Sequence, residues 1–171
     1  MIIRFLQRLL WMLALVAMQM VVFNYIHLFG YATPLPFVYL LLLFPLGTDR
    51  WSILLWGFVC GLLCDITSLS LGVGMAAMTL VAFIQPPLLQ LMIPKDAVED
   101  MQPGFDTMGF WGYFRYALLL TFIFVIAYFL FQVFNFFHPL DFLISMLSSF
   151  VLTFFFCLTF EAIRYKLSTQ R

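Results

Sequence analysis

Residues 9–29 run for 21 positions without an acidic side chain, a lysine or an arginine. At about 1.5 Å per residue an apolar helix of that length crosses roughly 30 Å of hydrocarbon. Similar runs recur at residues 51–69, 71–93, 116–137 and 142–163, with a shorter one at 35–47. The short run is introduced by Pro34 and Pro36 and interrupted by Pro45, so it spans only where it borrows residues 31–34 or where the bilayer thins. In the 71–93 run, the Pro86-Pro87 pair is expected to kink or end the helix. Together these runs predict an all-α integral membrane protein: residues 1–171 as a single bundle of about six transmembrane helices.

Composition agrees. Of 171 residues, 65% are hydrophobic and only 16 are charged, eight of each sign, against roughly 45–50% apolar for an ordinary soluble domain. A soluble fold of this size has too little interior to hide so much apolar surface. A cytosolic enzyme, a nucleic-acid binder with a basic patch and a disordered tail are all excluded. Arg4 and Arg8 before an apolar run imitate a signal peptide. The run is long, carries Gln19 and Asn24, and lacks a clean small-x-small cleavage site, so an uncleaved first span is expected.

Charge placement sets the orientation. With the N-terminus inside and six alternating crossings, Arg4, Arg8, Arg50, Lys95, Arg115, Arg164, Lys166 and Arg171 all fall on the inner side. The outer turns near 30–34, 69–71 and 138–141 hold no Lys or Arg. This is the bias expected of cytoplasmic loops, so both termini and the connection 94–112 are expected in the cytoplasm. That connection carries Lys95, Asp96, Glu99, Asp100 and Asp106, with Phe105, Phe110 and Trp111 nearby. It reads as a solvated loop with aromatics at the interface, or as a docking site for a cytoplasmic partner. The Arg and Lys residues after Ile163 read as anchors that orient the last helix.

Reactive chemistry is sparse. His27 and His138 sit near the outer ends of two runs, and His138-Pro139 with Asp141 reads as a capped turn. Cys60, Cys64 and Cys157 lie in apolar runs without metal-ligand spacing. Gln19, Asn24, Gln85, Gln90, Gln132 and Asn135 suit interhelical hydrogen bonds. No catalytic, cofactor or metal set is expected, and the chain does not read as an enzyme.

The sharpest local pattern is Gly57-x-x-x-Gly61-x-x-x-Asp65, followed by Ser68 and Gly72. Positions 57, 61 and 65 are four apart and share one helix stripe. Glycines there let another backbone approach closely, and a carboxylate on that stripe cannot face lipid cheaply. Asp65 is expected to face protein, toward Thr67, Ser68 or the amides opening the next helix near residues 71–73. The stripe is thus a helix-packing seam or a partner interface.

The run from Gly57 to Gly72, continuing through Ala76, Ala77, Ala82 and Phe83, resembles the rod shape-determining protein MreD family, whose pattern is a glycine-spaced helix, an Asp, a Ser-rich turn, a Gly and an alanine-containing helix. The specific motif covers about residues 56–84, and length and hydropathy agree along the chain. The 94–112 connection is longer than the family pattern. The resemblance implies a non-catalytic scaffold of the bacterial cell-elongation machinery in the cytoplasmic membrane, regulating cell shape and peptidoglycan synthesis. Its implied partners are membrane lipids, the single-span protein MreC, the MreB filament and the wall-synthesis enzymes. The implied fold is similar to that of the S components of energy-coupling-factor transporters. A second reading therefore stands beside it: a small-solute-binding transporter subunit with Asn24, His27, Asp65 and His138 around an outer pocket.

Overall fold

The structure, a computed structural model, describes residues 2–23, 33–68, 72–93, 101–132 and 139–169. Among them every regular element is helical. Helix α1 (Ile2–Met18) runs into one π-helical turn, Gln19–Phe23. A 3-10 turn at Pro36–Val38 leads into α2 (Tyr39–Leu42), and α3 (Arg50–Ser68), α4 (Val73–Met92), α5 (Phe105–Gln132) and α6 (Pro139–Thr169) follow. Among the described residues, four helices are long and apolar enough to cross a membrane: α3, α4, α5 and residues 142–167 of α6.

Sequential neighbours pack together. α3 lies against α4 most extensively, then α4 against α5 and α5 against α6, while α1 covers α2 and α3. This up-and-down order collects the start of α3, the end of α4, the start of α5 and the end of α6 at one end. Cross-contacts tie that end together: Phe105 meets the Tyr165 ring, and the Leu46 amide donates to the Met101 carbonyl at 3.3 Å. Arg8 stands over the Phe44 ring, 4.8 Å from its centroid, so the start of α1 belongs to the same end. Arg50, Arg115, Arg164 and Lys166 follow from their positions near the start of α3, the start of α5 and the end of α6.

The short run at 35–47 departs from the expected span. Its helix covers only residues 36–42, about 10 Å of rise. Proline explains both limits: Pro36 sits at the first position of the 3-10 turn, where its missing amide is harmless, and no helix continues past Pro45. The segment lies in the centre of the bundle instead, with Val38, Tyr39, Leu40, Leu41, Leu42 and Phe44 fully buried.

α4 continues through Pro86 and Pro87 to Met92, within two residues of the expected 71–93 run, so the proline pair does not end it. Two further boundaries differ. α5 begins at Phe105 rather than 116, so the connection expected at 94–112 is shorter. One turn, 105–108, precedes Gly109, whose φ of +70° breaks the helix direction before it resumes. The Thr107 hydroxyl donates to the carbonyls of Gln102 and Gly104, which closes that first turn. α6 extends beyond 142–163 at both ends. The remainder of the first run after residue 23, and residues 94–100, lie outside the described residues.

Candidate functional site

The glycine-aspartate stripe of α3 faces α4, within the chain. A Cβ built on Gly61 would stand 2.6 Å from the Met75 Cα and 2.7 Å from the Gly74 carbonyl oxygen. On Gly57 it would stand 2.9 Å from the Ala82 Cβ and 3.2 Å from the Met78 carbonyl oxygen. The two backbones therefore approach as closely as a missing side chain allows, which is how helices associate without a hydrophobic drive in lipid.

Asp65 closes the seam. Its Oδ1 accepts the Gly74 amide at 2.9 Å and its Oδ2 the Met75 amide at 2.8 Å. The residue before α4 is Gly72, in the left-handed region at φ +79° with no side chain to cap the helix. The first-turn amides of a helix have no partner of their own. The aspartate of the preceding helix thus does the work of an N-cap side chain, with the helix dipole favouring its charge. The amide donors expected near residues 71–73 lie slightly further on, because it is the second and third helical amides, Gly74 and Met75, that donate to the carboxylate. Gly74 completes the arrangement: a Cβ there would sit 2.6 Å from Asp65 Oδ1. Ser68 is exposed at the end of α3, and the Thr67 hydroxyl donates to the Cys64 carbonyl at 2.8 Å.

A second polar system, not singled out by the sequence, lines the inner face of α6. Ser149, Thr153, Cys157 and Glu161 recur every fourth residue and are all buried. The first two hold the central segment where its backbone is not helical. The Thr33 amide donates to Ser149 Oγ at 3.1 Å, and the Leu35 amide to Thr153 Oγ1 at 3.0 Å. Gln19, in the π turn of α1, reaches the Pro34 carbonyl at 3.5 Å. Irregular backbone at membrane depth needs such partners, since lipid offers none. The four-residue spacing was the available signal, hidden in a Phe-rich run.

At the arginine-bearing end the stripe terminates in an ion pair. The Tyr39 hydroxyl donates to Glu161 Oε2 at 3.0 Å, and Arg164 donates to Glu161 Oε1 at 2.7 Å. Arg164 also donates to the Pro103 carbonyl at 2.7 Å. A Cβ on Gly104 would lie 2.6 Å from Arg164 Nη2 and 2.9 Å from Glu161 Oε1, so the connection leading into α5 passes flush against the pair. Arg164, read from sequence as an anchor, here pins a loop.

Of the other residues singled out, Gln85 is buried and donates to the Tyr116 hydroxyl at 3.0 Å and the Phe44 carbonyl at 3.5 Å. Gln90, Gln132 and Asp106 are exposed, and the three cysteines are free thiols in the interior. Asn24, His27, Lys95, Asp96, Glu99, Asp100, Asn135 and His138 lie outside the described residues, as does Arg171. Asp141 belongs to the first turn of α6. Among the described residues no cluster of three His, Cys, Asp or Glu could hold a metal. Of the four residues that would line a solute pocket, only Asp65 is described, and both its oxygens are taken by amides. Compared with known protein families, curated proteins and solved structures, the chain finds no match.

Proposed function

We propose that this chain is a non-catalytic scaffold of the MreD type, a multi-pass protein of the bacterial cytoplasmic membrane with both termini in the cytoplasm. One observation carries the reading. The residues that make up the family-like motif, Gly57, Gly61, Asp65 and Gly72, form one packing unit with α4. Their chemistry is spent on holding two helices together, which suits a protein that organises partners rather than one that transforms a substrate. The gathering of Arg8, Arg50, Arg115, Arg164 and Lys166 at one end supports the orientation. A chain with short outer connections influences wall growth through partners that own outer domains: the single-span protein MreC, with the MreB filament and the wall-synthesis enzymes acting alongside.

Depletion in the native host, read by cell shape, tests the proposal. Loss of rod form or width control is expected, together with recovery of the single-span partner when the chain is purified from native membranes. Recovery of an energising ATPase pair without elongation proteins overturns it in favour of a transporter subunit.

A further inference from the structure

Two buried polar atoms toward the arginine-bearing end have no hydrogen-bond partner among the described residues: the Tyr113 hydroxyl oxygen and Gln85 Oε1. Tyr113 and Gln85 are fully buried, as are Tyr39 and Tyr116, and Glu161 is nearly so. Gln85 stands seven residues before the end of α4, and Glu161 eight before the end of α6. Tyr113 and Tyr116 follow Gly109 by four and seven residues. These offsets put the set about 6–12 Å inside the ends of their helices, in one polar layer.

The layer holds two hydrogen-bonded networks. Glu161 accepts from the Tyr39 hydroxyl on one oxygen and from Arg164 on the other. Gln85 donates both hydrogens of its amide, to the Phe44 carbonyl at 3.5 Å and the Tyr116 hydroxyl at 3.0 Å. A carbonyl only accepts, so Phe44 fixes which end of the carboxamide faces it. Gln85 Oε1 is left as a bare acceptor, and the Tyr116 proton meets no acceptor among the described residues. Tyr113 borders both networks. Its ring lies 6.4 Å from that of Tyr116, and Tyr39 and Glu161 are within electrostatic reach.

Chemistry narrows what completes these bonds. A buried polar atom without a partner is costly, more so in a bundle surrounded by lipid. A cation finds no open carboxylate, since both Glu161 oxygens are taken and Arg164 stands beside them. An anion would meet Gln85 Oε1, an acceptor. The fit is a neutral molecule that accepts from a phenol and donates to an amide oxygen. Among side chains as completely buried as these, the smallest such molecule is water. Thr121 Oγ1 also lacks a partner, but a helical threonine reaches the carbonyl one turn back by rotating about one bond. A phenol at the end of a rigid ring cannot.

We propose that Gln85, Tyr113 and Tyr116 bind a water molecule inside the bundle. It accepts from the two phenols and donates to Gln85 Oε1, about the three hydrogen bonds usual for a buried water. It thereby draws Tyr113 into the contact that Gln85 and Tyr116 make between α4 and α5. The Phe105 ring rests edge-on against Tyr113 at 5.1 Å, so the water also steadies the turn that opens α5. The site is independent of the scaffold reading and of any partner.

The test uses the full chain in lipid nanodiscs, footprinted with hydroxyl radicals from a brief X-ray pulse. Radicals formed from a bound water modify the side chains beside it. Tyr113 and Tyr116 are expected to be hydroxylated about as strongly as the exposed Tyr165. Phe37 and Phe124, equally buried and packed ring to ring at 5.3 Å, are expected to stay unmodified. Tyr113→Phe removes only the hydroxyl. With water bound it should lower the apparent unfolding temperature by about 2–4 °C, whereas deleting a dry, unpaired hydroxyl raises it. Thr121→Val should leave that temperature unchanged. Unmodified Tyr113 and Tyr116 would overturn the water, in favour of a co-purified neutral solute if Tyr113→Phe still destabilises. A Tyr113→Phe chain at least as stable as the unaltered one would overturn binding of any kind. A loss in Thr121→Val as large as in Tyr113→Phe would overturn it too, by tracing the effect to α5 at large.

Discussion

Gly74 lacks a side chain at the one place where the Asp65 carboxylate needs room: a Cβ there would stand 2.6 Å from Oδ1. Asp65 and Gly74 are therefore a single device, and their substitutions should not add. Asp65→Leu strips acceptors from two first-turn amides and Gly74→Ala pushes the carboxylate away from them. Each should cost about 1–3 kcal/mol in detergent-solubilised protein, the range for orphaning buried polar groups. The double variant should be little worse than the more damaging single one. Additive losses in a thermal unfolding series would mean that the two residues act separately.

The two stripe glycines should differ in a way that spacing alone does not reveal. At Gly61 the obstacle is backbone, the Met75 Cα and Gly74 carbonyl. At Gly57 the nearest obstacle is the Ala82 Cβ, a side chain that can be removed. Gly61→Ala should therefore destabilise more than Gly57→Ala, within the roughly 1–3 kcal/mol typical of overpacking. Ala82→Gly should recover most of the Gly57→Ala loss and none of the Gly61→Ala loss. Equal rescue of both would place the contact elsewhere.

Much of this architecture is legible in the residues, and the exceptions have physical causes. α3 and α4 carry long runs bounded by Arg50 and by the turn before Gly72, so their ends lie within two residues of expectation. Glycines four apart announce a face, although only the structure places α4 against it. The central segment misleads because residues 35–47 have the composition of a span, while Pro36 and Pro45 leave it helix enough for two turns. Where such a segment goes depends on hydroxyls more than a hundred residues away, at Ser149 and Thr153. The first turn of α5 hides behind Asp106 and Gly109, which read as loop until Thr107 is seen closing the turn.

The end of the bundle holding Arg164 should face the cytoplasm. Asp106 is exposed there, and Cys60, Cys64 and Cys157 are buried. After the native cysteines are replaced, Asp106→Cys should react with an impermeant thiol reagent only in inverted vesicles. Reaction in intact spheroplasts would reverse the orientation.

Arg164 should be the less replaceable member of its pair. It neutralises Glu161, which is only 2% exposed, and also holds the Pro103 carbonyl. Arg164→Met leaves a buried carboxylate with only the Tyr39 hydroxyl, and removing one partner of a buried pair costs about 3–5 kcal/mol. Arg164 itself is 24% exposed, so the lower end of that range is expected. Glu161→Gln keeps an acceptor for Tyr39 and should cost less. Limited proteolysis near residues 101–104 should quicken in Arg164→Met before global unfolding does. Indistinguishable cleavage in the two variants would detach the connection from the pair.

Thr153 and Thr159 sit on the same helix, six residues apart, and make opposite predictions. The Thr153 hydroxyl is buried and accepts the Leu35 amide at 3.0 Å, across 118 positions of sequence. The Thr159 hydroxyl is exposed and donates to the Phe155 carbonyl one turn back in its own helix, a carbonyl already served by the helix ladder. Thr→Val keeps nearly the same shape and removes only the hydroxyl. At 153 it orphans a backbone amide in the bundle interior, where neither water nor a helix ladder can take over, at a cost of about 1–3 kcal/mol. At 159 it removes a redundant bond and should change stability by no more than about 0.5 kcal/mol. Hydrogen exchange should single out the Leu35 amide in Thr153→Val. Equal behaviour of the two variants would mean that the central segment is held by apolar packing alone, with the hydroxyls of α6 as bystanders.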